Sequence, residues 1–293
     1  WGWSLSLCSA FFIRRYKSVT VNTPEVPYIY IVFSLILGFF LVLLTFKADP
    51  FQQLSFIPID GNGMNPLLQN LYMAIHPPVL FIGYAGFIVP FALAFAVLCT
   101  GKMGPEWAKY VRQWTLFSWY FLGIGIILGA RWAYLELGWG GYWGWDPVEN
   151  SSFIHWSIST ALIHTLIVQQ RKGLLRFWNI FLCILAFSLC VLGTFITRSG
   201  ILTSVHAFAQ SSIGHYFLVF LITTSICTLG LMLYRWKELR SSSELRSIVS
   251  KEGSFFLANQ LLVGFGCAVL YGTVYPLFSE IILQKKINIS SSF

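Results

Sequence analysis

Long apolar segments follow one another along most of this chain, separated by shorter polar stretches. Each segment lacks Asp, Glu, Lys and Arg, and each is close to the ~20 residues that a helix needs to cross a bilayer. They are Pro27–Phe46, Pro78–Thr100, Gln113–Ala130, Phe153–Val168, Phe177–Thr197, Gly214–Tyr234 and Ser254–Pro276. Trp1–Ile13 has the composition of the end of one further span. The pattern predicts an all-α fold, a polytopic membrane helical bundle of about eight transmembrane helices.

The composition agrees with a membrane protein, because 56% of the residues are hydrophobic, 10% are charged and the mean hydropathy is +0.70. We expect one multi-pass domain over residues 1–278 and a polar tail over residues 279–293. The chain begins without Met and carries no recognisable signal peptide, so we expect a processed or truncated N-terminus. All six cysteines fall in apolar spans without a C-x-x-C spacing, which is typical of small core residues.

The net charge of +8 is explained by topology rather than by binding of nucleic acid. Lys and Arg concentrate in alternate loops, as the positive-inside rule requires. This distribution places three loops on the outer membrane face, namely Lys47–Pro77, Arg131–Ser152 and Arg198–Ile213. The tail is predicted to lie on the same face, although its lysines, Lys285 and Lys286, fit that side less well. The lipid bilayer is a predicted partner and nucleic acid is not.

One outer loop, residues 139–156, is unusually rich in tryptophan and reads WGGYWGWDPVENSSFIHW. Glycines let a planar ligand approach the backbone, and indole rings stack against its faces. We therefore interpret Trp139, Trp143 and Trp145 as parts of an aromatic platform at the membrane surface. The alternative is an interfacial tryptophan belt, which would spread its tryptophans over many helix ends.

Two histidines on the same predicted face favour haem as the ligand of this platform. His76 lies in IHPPVLFIGY, where the prolines suit the first turn of a helix, so we expect His76 at a helix entrance. His206 lies in RSGILTSVHAF, in the third outer loop. Two neutral imidazoles beside an aromatic surface are the groups that an iron porphyrin requires, although a single interfacial histidine is more often structural.

His164 is expected on the order of 17 Å inside a span, at 1.5 Å per residue. A histidine at that depth is a proton relay, a core residue or an axial ligand of a second, buried haem. A relay normally includes acids, and no predicted span contains one, so we favour the haem ligand. His155 and His215 are expected to be hydrogen-bonded residues near outer helix ends.

Four charged residues complete the predicted site. Arg131 and Arg198 lie at outer helix ends, where a guanidinium pairs with a haem propionate or, equally well on the sequence, with a lipid headgroup. We expect Asp146 and Glu149 to order the tryptophan-rich loop rather than to transfer protons. We therefore assign no catalytic residue, and expect orientation of the reactants to provide the rate enhancement.

WGGYWGWDPVEN resembles the WWD signature of haem-handling proteins. NPLLQNLYMAIHPPVLFIGYAGF, TALIHTL and AFSLCVLGTFITRSGILTSVHAF make the chain similar to the cytochrome c maturation F (CcmF) family from about Pro24 to Phe278. The resemblance implies that His76 and His206 ligate a haem awaiting attachment, held by the loop Trp139–Asn150. It implies that His164 is one of two membrane ligands of a b-type haem.

The resemblance also implies a function, namely that the chain is a component of a cytochrome c haem lyase. Haem would be joined by thioether bonds to the C-x-x-C-H segment of apocytochrome c, with the b-type haem keeping it reduced. The implied partners are a haem chaperone, apocytochrome c and a second membrane subunit with the missing ligand histidine. The chain resembles an N-terminal piece of a split mitochondrial protein, which implies the mitochondrial inner membrane with the loop facing the intermembrane space. The alternative is the bacterial plasma membrane with the loop facing the periplasm.

Two other functions stay open on the sequence. A haem translocator or passive haem-binding subunit would share the loop and the outer histidines, but would not need His164. An ion-translocating respiratory subunit would need acids or lysines in the spans, which the predicted spans lack.

Overall fold

A computed structural model describes residues 1–16, 23–61, 63–104, 106–206, 212–241 and 250–285. Within these residues the regular structure is entirely helical. The helices are α1 (Gly2–Arg15), α2 (Val26–Phe46), α3 (Leu71–Gly86), α4 (Ile88–Thr100), α5 (Trp107–Glu136), α6 (Pro147–Lys172), α7 (Arg176–Ser199), α8 (Ile213–Tyr234), α9 (Trp236–Leu239) and α10 (Lys251–Leu283). A short 3₁₀ turn, Pro66–Leu68, precedes α3.

Among these elements, 7 are long and apolar enough to cross a membrane, with α3 and α4 counted as one span, Leu71–Thr100. The shorter α1 corresponds to the apolar segment Trp1–Ile13. The prediction of a polytopic membrane helical bundle is thus confirmed. The last helix continues to Leu283, so it includes the first residues of the polar tail that was expected over residues 279–293. Residues 286–293 of that tail, including Lys286, lie outside the described residues.

Three spans form the centre of the bundle. The apolar windows of Leu71–Thr100, Pro147–Lys172 and Arg176–Ser199 are 72%, 67% and 61% buried, whereas those of α2, α5, α8 and α10 are 28% buried or less. The outer four helices therefore present most of their apolar surface away from the described protein.

Close packing of α3 against α5 depends on glycine. A Cβ at Gly83 would approach the backbone nitrogen of Leu122 to 2.5 Å, and a Cβ at Gly125 would approach the Cα of Leu80 to 2.8 Å. Neither backbone can give way, so only glycine permits this separation. Small residues have this role in membrane bundles because association there depends on close van der Waals packing.

The loops separate into two groups at opposite ends of the bundle. At one end Asn70 donates to Glu136 and Trp132 donates to the carbonyl of Leu67. At the other end Arg235 donates to the carbonyls of Leu98 and Cys99. The two groups of loops are the ones predicted by the alternation, along the sequence, of loops rich in Lys and Arg with loops poor in them. We call the first the tryptophan-loop end, because it also carries residues 137–146.

Candidate functional site

The tryptophan-rich loop enters α6 through a capping box at Asp146 and Glu149. Asp146 Oδ1 accepts hydrogen bonds from the N–H groups of Val148 at 2.9 Å and Glu149 at 3.4 Å. In return, Glu149 Oε2 accepts from the N–H groups of Asp146 at 3.4 Å and Gly144 at 3.2 Å. Pro147 occupies the first helical turn, where its missing N–H costs nothing. The two acids therefore fix the end of the loop to the start of the helix.

The same Asp146 carboxylate fixes the segment that contains His206. It accepts hydrogen bonds from Ser204 Oγ at 2.8 Å, the N–H of Val205 at 3.1 Å and His206 Nδ1 at 3.0 Å. Burial alone would raise the pKa of Asp146, but the hydrogen bond and charge of His206 and the bond from Ser204 outweigh burial and hold this pKa below its ordinary value. Asp146 is therefore ionised near neutral pH, so Nδ1 of His206 carries the proton of their shared bond.

His76 lies on the neighbouring helix α3 and is buried. Its Nδ1 is 2.6 Å from the carbonyl oxygen of Gly125, and since a carbonyl only accepts, Nδ1 is the protonated nitrogen. The ring rests on Gly129, where a Cβ would approach its Cε1 to 2.6 Å. Gly125 and Gly129 thus create the space in which this imidazole is held.

The prediction that His76 stands at a helix entrance is wrong. Helix α3 begins at Leu71, because the side chain of Asn70 caps it by accepting from the N–H of Tyr72. Pro77 and Pro78 consequently lie inside the helix rather than in its first turn. Membrane helices tolerate such prolines when neighbouring groups satisfy the freed carbonyls.

His76 and His206 line the same cleft, between α3 and α5 on one side and the tryptophan-rich loop on the other. The cleft is also lined by Gly129, Trp143, Glu149 and Ser152. Its volume is about 30 Å³, far below the ~300–1,000 Å³ of pockets that hold a drug-sized ligand. A haem therefore requires the two sides to separate.

The two imidazoles fit the donor set of a haem in spite of this small volume. Each has its Nδ1 held by an acceptor, and within the described part of the chain the Nε2 of neither has a hydrogen-bond partner. A histidine that ligates a metal normally donates its other ring N–H to a carbonyl or carboxylate in this way. Both side chains are thus prepared to coordinate through Nε2.

The three predicted platform tryptophans have different positions. Trp143 lines the cleft and is 36% exposed. Trp139 covers Gly144, where a Cβ would approach its ring to 2.5 Å. Trp145 packs against the hydrophobic core with its Nε1 buried, and its backbone has φ = 57°, in the left-handed region. Trp145 is thus directed inward, because the capping box turns the chain into α6 at the next residue.

The two predicted propionate partners are also unequal. Arg131 follows Ala130, a cleft residue, and lies beside Tyr72 and Tyr142 with its guanidinium 5.6 Å from the ring centre of Tyr134. Arg198 is exposed at the end of α7 and does not line the cleft. Arg131 is adjacent in sequence to the cleft residue Ala130 but does not itself line the cleft, so a propionate role stays a prediction for both arginines.

His164 lies in α6, away from this cleft. It is partly buried, its ring is 5.8 Å from that of Phe255 on α10, and its buried Nδ1 has no hydrogen-bond partner among the described residues. His215 cannot complete a site there, since it is exposed at the start of α8. A buried ring nitrogen without a hydrogen-bond partner among the described residues fits a metal ligand, but one histidine supplies only one of the two that a low-spin haem needs.

The expectation that His155 is an interfacial residue is wrong. His155 is fully buried, stacks on Tyr84 with ring centres 5.2 Å apart, and has Nδ1 3.4 Å from Cys190 Sγ. Helix α6 starts at Pro147, so His155 lies two turns inside the bundle. Sequence reasoning also missed Gly125 and Gly129, although their G-x-x-x-G spacing is a recognisable signal of close helix packing.

Comparisons with known proteins show the family of the chain. Residues 1–206 match the family described as "Cytochrome C assembly protein". The chain belongs to this family. It is similar to the cytochrome c-type biogenesis protein CcmF of Haemophilus influenzae, at 46% identity over 256 residues that cover 87% of this chain and 39% of the relative. CcmF of Escherichia coli is 43% identical, with coverages of 87% and 39%.

A solved structure supports the same relationship. The cytochrome c heme lyase CcmF superimposes with a TM-score of 0.73 at 30% identity, covering 94% of this chain and 41% of that chain. The resemblance to the CcmF family is thus confirmed. The chain spans less than half of the length of these relatives.

Proposed function

We propose that this chain forms the haem-holding part of a cytochrome c haem lyase. Its substrate is haem, held between His76 and His206 on the tryptophan-loop end for attachment to the C-x-x-C-H segment of apocytochrome c. The observation that carries the proposal is the shared cleft of these histidines, in which each Nδ1 is occupied by an acceptor. The names of the relatives, cytochrome c-type biogenesis protein and cytochrome c heme lyase, support it.

The residues of the cleft bind and orient haem rather than transfer protons. His76 and His206 would hold the haem through their Nε2 atoms, Trp143 would stack against it, and Arg131, which follows the cleft residue Ala130, would pair with a propionate. Asp146 and Glu149 hold the loop in register with α6. Fixing two reactants in one orientation lowers a barrier by up to roughly 7–11 kcal/mol, so positioning alone is a sufficient catalytic contribution.

Haem entry requires an opening of the cleft. One wall is rigid, because His76 is packed on Gly129 and hydrogen-bonded to Gly125. The other wall is the loop with Trp143, which is held at its helical end by the capping box and on α5 by the stacking of Tyr142 on Tyr134, with ring centres 4.6 Å apart. We propose that this loop moves away from α3 and α5 to admit the macrocycle.

A resident b-type haem at His164 belongs to the same proposal. His164 would hold this haem through a ring nitrogen, and a second membrane subunit would supply the other ligand. When bound, this group supplies electrons that keep the substrate haem ferrous. The proposed location is the mitochondrial inner membrane, with the loop facing the intermembrane space. The bacterial relatives favour the alternative, a plasma membrane with the loop facing the periplasm.

The test replaces each histidine in the chain expressed with its membrane partners. His76→Ala and His206→Ala should each weaken haem capture and abolish cytochrome c assembly, because each removes one of the two ligand nitrogens and leaves haem on the other histidine alone. His215→Ala is the matched control, since His215 is an exposed histidine at the same end of the bundle. Glycine variants with added imidazole should recover haem binding in part.

The result separates the proposal from its alternatives. Normal cytochrome c assembly by both alanine variants would contradict the haem site. Haem capture by the unaltered chain without covalent attachment, in the presence of reduced apocytochrome c and all partners, would instead favour the passive haem-binding subunit.

A further inference from the structure

The two histidines of the cleft are held by acceptors of different charge. His206 Nδ1 donates to the Asp146 carboxylate at 3.0 Å, whereas His76 Nδ1 donates to a neutral peptide carbonyl, that of Gly125, at 2.6 Å. The Asp146 side chain is 4% exposed and the His206 side chain 13%, so water screens their interaction little. The chain thus presents one imidazole with anionic character and one that is close to neutral.

This difference makes the two imidazoles unequal as ligands. A carboxylate partner raises the basicity of a coordinated imidazole, because it draws the Nδ1 proton away from the ring. Hydrogen bonds to a charged acceptor are about twice as strong as those between neutral groups. His206 is therefore the stronger donor to a ferrous or ferric ion, and His76 the weaker.

We infer that His76 is the ligand that leaves when the histidine of apocytochrome c arrives, and that Asp146 is the positioning residue that keeps His206 bound. The inference rests on the proposed function and adds the order of ligand exchange. One imidazole nitrogen leaves the iron as another takes its place, so the exchange needs no oxidant, reductant or additional proton.

The test is vibrational spectroscopy of the ferrous protein loaded with haem, purified with its membrane partners. A His164→Ala background removes the contribution of the membrane haem. Carbon monoxide displaces the weaker axial ligand, and the Fe–C and C–O stretching frequencies then report on the histidine that remains. The carbon monoxide adduct of the protein that retains both outer histidines should have the same stretching frequencies as the adduct of His76→Ala. In the His76→Ala variant, His206 is the remaining ligand.

Asp146→Asn is the decisive second variant, because Asn caps a helix as well as Asp does and preserves the shape of the side chain. It should shift the frequencies of the carbon monoxide adduct, and His215→Ala should not. The inference would be overturned if the two-histidine adduct had the frequencies of the His206→Ala adduct, or if Asp146→Asn did not shift the frequencies. Neither result would contradict the haem site itself. Failure of the two-histidine protein to bind any haem would contradict the proposed function itself.

Discussion

The imidazole of His76 lies directly on Gly129. A Cβ at position 129 would approach His76 Cε1 to 2.6 Å and Nδ1 to 2.9 Å, both well inside van der Waals contact. The ring is also tied to the carbonyl of Gly125, one helical turn earlier on α5. The G-x-x-x-G spacing of α5 therefore serves both helix packing and the placement of a proposed haem ligand.

Gly129→Ala should displace His76 without removing it. We expect haem affinity to fall by about 10- to 100-fold, the usual consequence of disturbing the support of a metal ligand. Gly230→Ala is the control, because a Cβ there meets nothing within 4 Å. Haem titration of both variants measures the effect, and an unchanged affinity in Gly129→Ala would show that His76 does not contribute a ligand.

Trp143 and Trp145 should give opposite results although they are two residues apart. Trp143 faces the cleft, so Trp143→Ala should weaken haem binding by about tenfold with little change in thermal stability. Trp145 packs on the core, so Trp145→Ala should cost on the order of 2–4 kcal/mol of unfolding free energy. Thermal unfolding and haem titration of both variants measure these effects. A loss of stability in Trp143→Ala together with a loss of haem affinity in Trp145→Ala would contradict the assignment.

Asp146 should make the stability of the loop depend on pH. Its pKa in the folded chain lies below the ordinary value of 3.8, so its stabilisation is present above that value and disappears as the pH falls through the folded-state pKa. Asp146→Asn should therefore unfold at a temperature lower by on the order of 5 °C at neutral pH. The difference should narrow at acidic pH. A difference that is constant down to pH ~3 would show that the carboxylate charge contributes nothing.

His164 should need a partner to hold a low-spin haem. Within the described residues no other histidine lies near it, and its ring is next to Phe255, which is 37% exposed on α10. The chain purified alone should bind the buried haem weakly or in a five-coordinate, high-spin state, and addition of the partner subunit should convert it to low spin. A stable bis-histidine spectrum from the chain alone, abolished by His164→Ala, would show that the site is not divided.

The sequence predicted the spans and the end of the bundle at which each loop lies, because both depend on hydropathy and on the charge of individual loops. It did not predict the start of α3, since the cap at Asn70 overrides the boundary that Pro77 and Pro78 suggest. The inward direction of Trp145 and the burial of His155 depend on how α6 begins and packs. No local pattern encodes these contacts.

Within the site, residue type and spacing identified His76 and His206 but not the groups that hold them. The bond between His206 and Asp146 joins residues 60 positions apart, and the bond between His76 and Gly125 joins residues 49 positions apart. Such pairs become neighbours only when α3, α5 and α6 pack together. The small volume of the cleft is likewise a tertiary property.

The coordination of haem by His76 and His206 together is the central claim, and the spin state of captured ferric haem tests it most directly. Electron paramagnetic resonance of the purified assembly in a His164→Ala background should give a low-spin, six-coordinate signal. Either His76→Ala or His206→Ala should convert this signal to high spin, and His215→Ala should leave it unchanged. A low-spin signal that persists in either of the first two variants would contradict coordination by this pair.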